Sequence, residues 1–186
     1  MIKMRKIKEF TVCRACGAEV ELNTAVLCCK ECGAHMLFPK DADSELKQHF
    51  ADAFRYLLHD DFYSALRLFE AILKSAPSAA AHFGAFIAKY GLGADREHIT
   101  GNIIHSCKRR NTADPLKDAD YLNALSMADS NEKAVINKAA EFIAAEQRRL
   151  ELAEREAAEN EKNDLCIYSC PDPWIIVQAR GLSRTS

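Results

Sequence analysis

The chain has 186 residues, of which 48% are apolar, so it can bury the core of one ordinary domain or of two small ones. Its net charge of -2 excludes a global basic field for nucleic acid. No apolar run approaches the roughly 20 residues that a membrane span needs, and the charged start of the chain, residues 1–10, is unlike a secretory signal. From these features we predict a cytoplasmic protein.

Cysteine is concentrated near the start of the chain, where five of the eight cysteines lie between Cys13 and Cys32. Four of those five form two C-x-x-C pairs, and a glycine follows the second cysteine of each pair. In a chain without a secretory signal, this clustering indicates a metal site and not a set of disulfides. The four candidate ligands are Cys13, Cys16, Cys29 and Cys32.

The two pairs predict a zinc ribbon over residues 1–36. We expect each C-x-x-C to form a tight turn that aims two thiolates at one point, with the following glycine at a positive φ. Strands at residues 19–22 and 25–28, paired as a hairpin, would bring the turns together. Four thiolates leave no open position on a tetrahedral ion, so we predict one structural Zn2+ per chain. The alternatives are a redox-active C-x-x-C or a degenerate site. Strand alternation should point Cys28 away from the metal, so we predict that it is not a ligand.

Helical spacing of apolar residues follows the ribbon. Residues 37–44 are predicted to be a linker between the two parts. Asp60-Asp61 separates a first helix from a second, Pro77 ends the second helix, and Ser78 is a good cap for a third. The sequence therefore predicts a helical domain over residues 45–160.

Part of this helical region, residues 50–77, resembles one tetratricopeptide motif. Small residues stand where two antiparallel helices would cross, and large aromatic residues stand where they would fill the gaps. Solenoids usually need at least about three repeats to bury their faces, so these helices must pack on something else. The alternative is an ordinary helical bundle. The matching positions are Ala53, Tyr56, Asp61, Phe62, Ala65, Phe69 and Pro77.

Beyond the third helix, the pattern predicts a hairpin over residues 98–108 and a short helix over residues 118–129. A long helix rich in Ala, Glu and Arg follows over residues 131–160. The tail, residues 161–186, opens on a predicted strand at residues 164–170. The predicted fold class is thus mainly α with a small β zinc ribbon, followed by a tetratricopeptide-like helical domain and a long C-terminal helix.

The order of these parts resembles a bacterial family that joins a zinc ribbon, a tetratricopeptide-like region and, often, a C-terminal Toll/interleukin-1 receptor (TIR) domain. The seventeen residues after Ser169 do not continue the TIR pattern. The resemblance therefore implies the sensing or scaffolding half of such a protein, without its effector. The motifs that carry it are Ala81-His82-Phe83-Gly84 with Lys89-Tyr90-Gly91-Leu92, Ser106-Cys107-Lys108-Arg109, Asp120-Tyr121 with Ala124, and Asp164-Leu165-Cys166-Ile167-Tyr168-Ser169.

These features predict a non-catalytic, zinc-stabilised protein-interaction or regulatory module. We expect a protein partner, and neither a membrane nor a small-molecule substrate. One alternative is a zinc-ribbon protein that binds nucleic acid, on a positive face joining Arg14, Lys30 and the N-terminal lysines. Another is a fragment of an enzyme that lacks its catalytic domain. We predict no catalytic and no cofactor-binding residues beyond the zinc ligands.

Two smaller clusters suggest further chemistry. His105 with Cys107 could be half of a second metal site, with Cys166 and Cys170 as the other half, although we expect these cysteines to be incidental. Residues 108–110, Lys-Arg-Arg, could contact phosphate, although we expect a solvated turn.

Overall fold

The computed structural model describes residues 9–39, 42–96 and 102–169. The chain divides into two compact units, Met1–Gln147 and Arg148–Ser186, and each is described by itself. The part of the chain that the structure describes is mainly helical, with small antiparallel strand pairs, two of them at the N-terminus. No helix in this part is long and apolar enough to cross a lipid bilayer.

The N-terminal ribbon contains two separate strand pairs. Strand β1 (Phe10–Val12) pairs antiparallel with β2 (Glu19–Glu21), and β3 (Val26–Cys28) pairs antiparallel with β4 (His35–Leu37). The predicted hairpin that joins residues 19–22 to residues 25–28 is therefore wrong. Each C-x-x-C turn instead closes its own two-stranded hairpin, because the turn reverses the chain and sets the register of the strands that flank it.

Two helices follow the ribbon, and an aspartate caps the N-terminus of each. Helix α1 (Ser44–Leu58) starts at Asp43, whose carboxylate accepts a hydrogen bond from the backbone N–H of Leu46. Helix α2 (Phe62–Ser75) starts at Asp61, whose carboxylate accepts from the N–H of Ser64. Each cap satisfies an N–H that has no partner inside the helix. The predicted break between the helices is confirmed, and Asp60 takes the left-handed φ of 59° at this turn.

Helix α3 (Ala79–Tyr90) is the most buried helix of the first unit. Ser78 caps its start, as predicted, and Gly91 ends it in the left-handed conformation with φ 65°. Gly84 lies against the ring of Phe69 on α2, and a Cβ at this position would meet the ring at 2.2 Å. The absence of a side chain at Gly84 is therefore what lets α2 and α3 approach closely.

The predicted hairpin lies partly elsewhere than expected. Strand β5 (Leu92–Arg96) begins directly after the cap of α3, and it pairs antiparallel with β6 (Ile103–Cys107). The first strand is therefore displaced towards the N-terminus from the predicted range of 98–108. The displacement follows from the left-handed turn at Gly91, which reverses the chain at once. Residues 97–101 lie outside the described residues.

Two helices complete the described chain. A single 3₁₀ turn, Pro115–Lys117, leads into α4 (Ala119–Met127), and α5 runs over Ser130–Ser169. The strand predicted at residues 164–170 is wrong for residues 164–169, which continue α5, and Cys170 lies outside the described residues. A lone strand there would leave its backbone groups unpaired, whereas a helix satisfies them within itself. In the second unit, the side chains of residues 152–162 are exposed.

The ribbon and the helices of the first unit share one hydrophobic core. Leu37 and Phe38, which we placed in a linker, are only 1% and 4% exposed. The ring of Phe38 lies 5.3 Å from that of Phe50 and 6.3 Å from that of Phe54, both on α1. Residues 37 and 38 are therefore core residues and not linker, because β4 ends at Leu37 and the next residue, Phe38, packs on the face of α1.

Candidate metal centre

The two C-x-x-C turns have matching backbone geometry. In the first, Cys13 N–H donates to the carbonyl of Ala18 at 2.8 Å, and Gly17 N–H donates to the carbonyl of Cys13 at 3.0 Å. In the second, the same two bonds join Cys29 to Ala34 and Gly33 to Cys29, each at 2.9 Å. The two glycines have φ of 77° and 70°, a region that suits a residue without a Cβ. The turns are therefore two copies of one local structure.

The turns bring four sulfurs to one point. The Sγ atoms of Cys13, Cys16, Cys29 and Cys32 all lie within 4.8 Å of one another. Two pairs are closest, with Cys13 to Cys32 and Cys16 to Cys29 both separated by 3.6 Å. These separations are too long for a disulfide, whose sulfurs lie about 2.05 Å apart. Four cysteines in this arrangement could hold one metal ion.

Burial and backbone hydrogen bonds act in opposite directions on the thiols. Burial raises the pKa of Cys13 above its ordinary value, although the N–H groups of Ala15 and Cys16 work against that change. Burial also raises the pKa of Cys32. At Cys29 burial acts in the same direction, but N–H bonds from Cys32 and Glu31 outweigh it and lower the pKa. A cation at the centre would favour the thiolate form of all the ligands.

Cys28 does not join this group. It is exposed, and its neighbour Cys29 is buried, as strand alternation requires. The Sγ atom of Cys28 makes only a weak contact, at 3.9 Å, with the carbonyl of Cys29. The side chain of Cys28 therefore points away from the sulfur cluster.

Two side chains that the sequence did not single out for this purpose connect the cluster to the β5–β6 hairpin. The guanidinium of Arg14 donates to the carbonyl of Leu92 at 3.0 Å, and it is 4% exposed. The Nε2 atom of His105 lies 3.1 Å from the carbonyl of Cys32. The sequence suggested that Arg14 is a surface cation. Its spacing does not distinguish it from Lys30, which takes the same position in the second turn and is exposed.

The other predicted binding residues do not join the four-cysteine cluster, and one of them, Lys108, forms ion pairs elsewhere. Cys107 is buried on β6, and Cys166 and Cys170 lie where no side chain is described, so the second metal site is not assembled among the described residues. Lys108 forms ion pairs with Asp60 at 2.6 Å and with Asp95 at 2.8 Å. We expected a solvated turn at residues 108–110, but the side chain of Lys108 is held by these two ion pairs.

A polar cluster between α3 and α4 escaped the sequence analysis as a unit. The Nδ1 atom of His82 lies 2.9 Å from a carboxylate oxygen of Asp120, and Lys89 bridges Asp120 at 2.8 Å and Asp118 at 2.9 Å. Burial raises the pKa of Asp120, but hydrogen bonds from Lys89 and His82 outweigh burial and hold that pKa below its ordinary value. Asp118 also caps α4. These contacts join α3 to the start of α4, and we call them the polar clamp. Its members are His82, Lys89, Asp118 and Asp120.

Comparisons with protein-family models, with curated protein sequences and with solved structures find no match to this chain.

Proposed function

We propose that this chain is a zinc-stabilised, non-catalytic module that binds another protein. The observation that carries the proposal is the closed four-sulfur cluster inside a core shared with the helices. Tetrahedral zinc with Zn–S bonds of about 2.3 Å places its sulfurs about 3.8 Å apart, close to the 3.6 Å of the two nearest pairs. All four positions of such an ion are filled by protein, so the ion would hold structure and not perform catalysis.

The helical part supplies the surface for a partner. We interpret α1 and α2 as one tetratricopeptide-like pair, because Ala65 and Phe69 of the motif are fully buried where the pair packs. Tyr63 on α2 is 65% exposed, and the guanidinium of Arg67, one turn later, lies 5.9 Å from the centre of its ring. Tyrosine and arginine are enriched among residues that dominate protein interfaces. We assign the Tyr63–Arg67 face of α2 to the partner.

The resemblance to the front half of bacterial TIR-domain proteins supports a regulatory setting for this module. It places a zinc ribbon and a helical scaffold ahead of an effector domain. The nucleic-acid alternative loses one of its named contacts, because Arg14 is buried and is not available on a positive face. We therefore favour a protein partner over nucleic acid.

The proposal is tested with the purified full chain as bait. Cross-linking mass spectrometry should place partner peptides on residues of α2 in the zinc-loaded chain. Tyr63→Ser should weaken capture of that partner at least about tenfold, as expected for an interface hot spot. The matched control is Arg155→Gln, an exposed change in the second unit, which should leave capture unchanged. A partner whose cross-links avoid α2, or equal capture by both variants, would contradict this assignment.

A second assay tests the non-catalytic part of the proposal. The chain is incubated with NAD, alone and after forced oligomerisation, and nicotinamide release is measured. We expect no turnover above a heat-inactivated control. Turnover would contradict the non-catalytic part of the proposal and would point to a catalytic site in this chain.

A further inference from the structure

Arg14 stands out because it is a buried cation inside the metal-binding turn. It follows the first ligand, Cys13, and only 4% of it is exposed to solvent. Lys30 follows Cys29 at the same position of the second turn, and it is exposed. The two turns share one backbone geometry, so the local structure does not require burial of a cation there. The burial of Arg14 needs another explanation.

Within the described part of the chain, Arg14 makes hydrogen bonds to two carbonyl groups but no ion pair with a carboxylate. Its Nη1 atom donates to the carbonyl of Leu92 at 3.0 Å, and its Nε atom donates to the carbonyl of His35 at 3.4 Å. Among the described residues, no Asp or Glu forms an ion pair with it. A buried charge without a counter-charge is strongly unfavourable. Burial lowers the pKa of Arg14, and negative charge on the nearby sulfurs of Cys13 and Cys32 would act against that change.

A tetrathiolate site with one divalent ion carries a net double negative charge, so it also needs nearby positive charge. Arg14 supplies that charge from inside the first turn. The guanidinium of Arg14 donates to the carbonyl of Leu92, the first residue of β5. The carbonyl of Cys32 lies within hydrogen-bond distance of His105 on β6. Both metal-binding turns therefore contact the same hairpin.

We propose that Arg14 is the counter-charge of the metal centre and that it couples metal occupancy to the docking of the ribbon on the β5–β6 hairpin. With zinc bound, the guanidinium offsets one of the two negative charges of the cluster, and the bond to Leu92 is kept. When the metal is removed, the two turns are no longer held together, and the contacts of Arg14 with Leu92 and of Cys32 with His105 lose their fixed geometry. The ribbon should then separate from the hairpin. Arg14 acts as a positioning residue and is not itself a ligand.

The first test measures zinc affinity of the full chain by competition with a chromogenic chelator. Arg14→Gln should lower the affinity about 10- to 100-fold, the usual effect of changing a group that supports metal ligands. Lys30→Gln, at the matched position of the other turn, should stay within about threefold of the wild type, which is below that range. Arg14→Lys keeps the charge and should recover most of the affinity.

The second test measures the coupling between metal occupancy and the docking of the ribbon on the hairpin. A purely structural role of Arg14 would not produce this coupling. Hydrogen exchange of the amides in β5 and β6 is compared between the zinc-loaded and the chelator-treated chain. In the wild type and in Lys30→Gln, chelation should reduce protection of these amides. In Arg14→Gln, protection should already be low with metal bound. Visible absorption of the cobalt-loaded variant reports whether the tetrahedral site still forms.

The outcomes separate the proposal from its alternatives. Equal losses of affinity in Arg14→Gln and Lys30→Gln would overturn it, as would a folded Arg14→Lys variant without recovered affinity. If Arg14→Gln gives no folded protein, Arg14→Lys decides the question: near wild-type affinity supports the role of the charge, and failure of both variants assigns Arg14 to packing alone. Hairpin protection that does not respond to chelation would overturn the coupling.

Discussion

At the scale of single residues, the cysteines of the ribbon differ sharply in what they contribute. Cys13 is fully buried beside the other three candidate ligands, whereas Cys28, one residue before the ligand Cys29, is exposed. Neighbouring residues of a strand face opposite sides, so adjacent cysteines here have opposite surroundings. A candidate metal ligand and a bystander can therefore be compared at two adjacent positions, the last residue of β3 and the residue that follows it.

We expect Cys13→Ser to abolish stoichiometric zinc and to unfold the ribbon, because binding in such sites supplies about 10 to 16 kcal/mol of folding energy. Cys28→Ser should keep one zinc per chain and an unchanged melting midpoint. Metal analysis and thermal unfolding monitored by circular dichroism measure both effects. Equal damage from the two substitutions would show that the ligand set is wrong, and iron in place of zinc would contradict the assignment of the metal.

Gly84 is the second residue whose contribution the packing makes clear. The ring of Phe69 that it contacts is itself held between the rings of Phe50 and Phe54, at 5.9 and 6.4 Å. Gly84→Ala would ordinarily stabilise a helix by roughly 0.5 to 1 kcal/mol. Here the added methyl would displace a buried ring, at a cost of about 1 to 3 kcal/mol.

We therefore expect Gly84→Ala to lower the free energy of unfolding, measured in denaturant titrations. The control is Ser75→Ala on α2, near the helix end and outside the close approach. Stabilisation by Gly84→Ala would mean that the two helices are farther apart than the structure places them.

At the scale of elements, the polar clamp between α3 and α4 joins two helices that are otherwise packed through apolar faces. Because the folded state lowers the pKa of Asp120, it favours the ionised carboxylate. The resulting stability is complete above the ordinary pKa of 3.8 and is lost as the pH falls through the lower value of the folded protein. The side chain of Asp120 is 21% exposed, so solvent weakens the effect only in part.

Asp120→Asn removes this charge while it keeps the shape of the side chain. We expect a loss of about 1 kcal/mol at pH 7, since hydrogen bonds to charged groups contribute about 1.5 to 3 kcal/mol and this group is partly solvated. The difference from the wild type should shrink below the ordinary pKa of 3.8. Asp52→Asn, at an exposed ion pair with Arg55, serves as the control and should change stability by less than about 0.5 kcal/mol. A pH-independent difference would contradict the assigned ionisation.

At the scale of the whole molecule, the ribbon and helices α1 to α4 belong to one compact unit with one core. The linker predicted at residues 37–44 implies that the helical part folds without the ribbon. Leu37 is buried, and Phe38 packs against α1, which leads to the opposite expectation, because removal of Phe38 would expose the rings of Phe50 and Phe54 to water.

We expect a fragment that begins at Ser44 to aggregate or to melt without cooperativity. Phe38→Ala in the full chain should reproduce part of this effect, with a loss of about 3 to 5 kcal/mol, the usual range for deletion of a buried phenylalanine. Circular dichroism melts and analytical ultracentrifugation measure both. A cooperative melt of the fragment at the midpoint of the full chain would show that the core of the helices does not depend on the ribbon.

The sequence alone determined the elements whose signals are local. Paired cysteines followed by glycine, the aspartate and serine caps, and the apolar spacing of α1 to α3 each depend on residues within about one turn of the chain. Composition and order also identified the long helix α5, although its C-terminal extension to Ser169 was mistaken for a strand.

Only the tertiary structure decided how those elements use one another. It paired each strand across its own C-x-x-C turn, carried Leu37 and Phe38 into the core, and buried Arg14 while Lys30 stayed exposed. Each of these outcomes depends on contacts between residues far apart in the chain. Arg14 and Lys30 have the same charge and the same position in their turns, and only the neighbours brought by folding distinguish the buried cation from the solvated one.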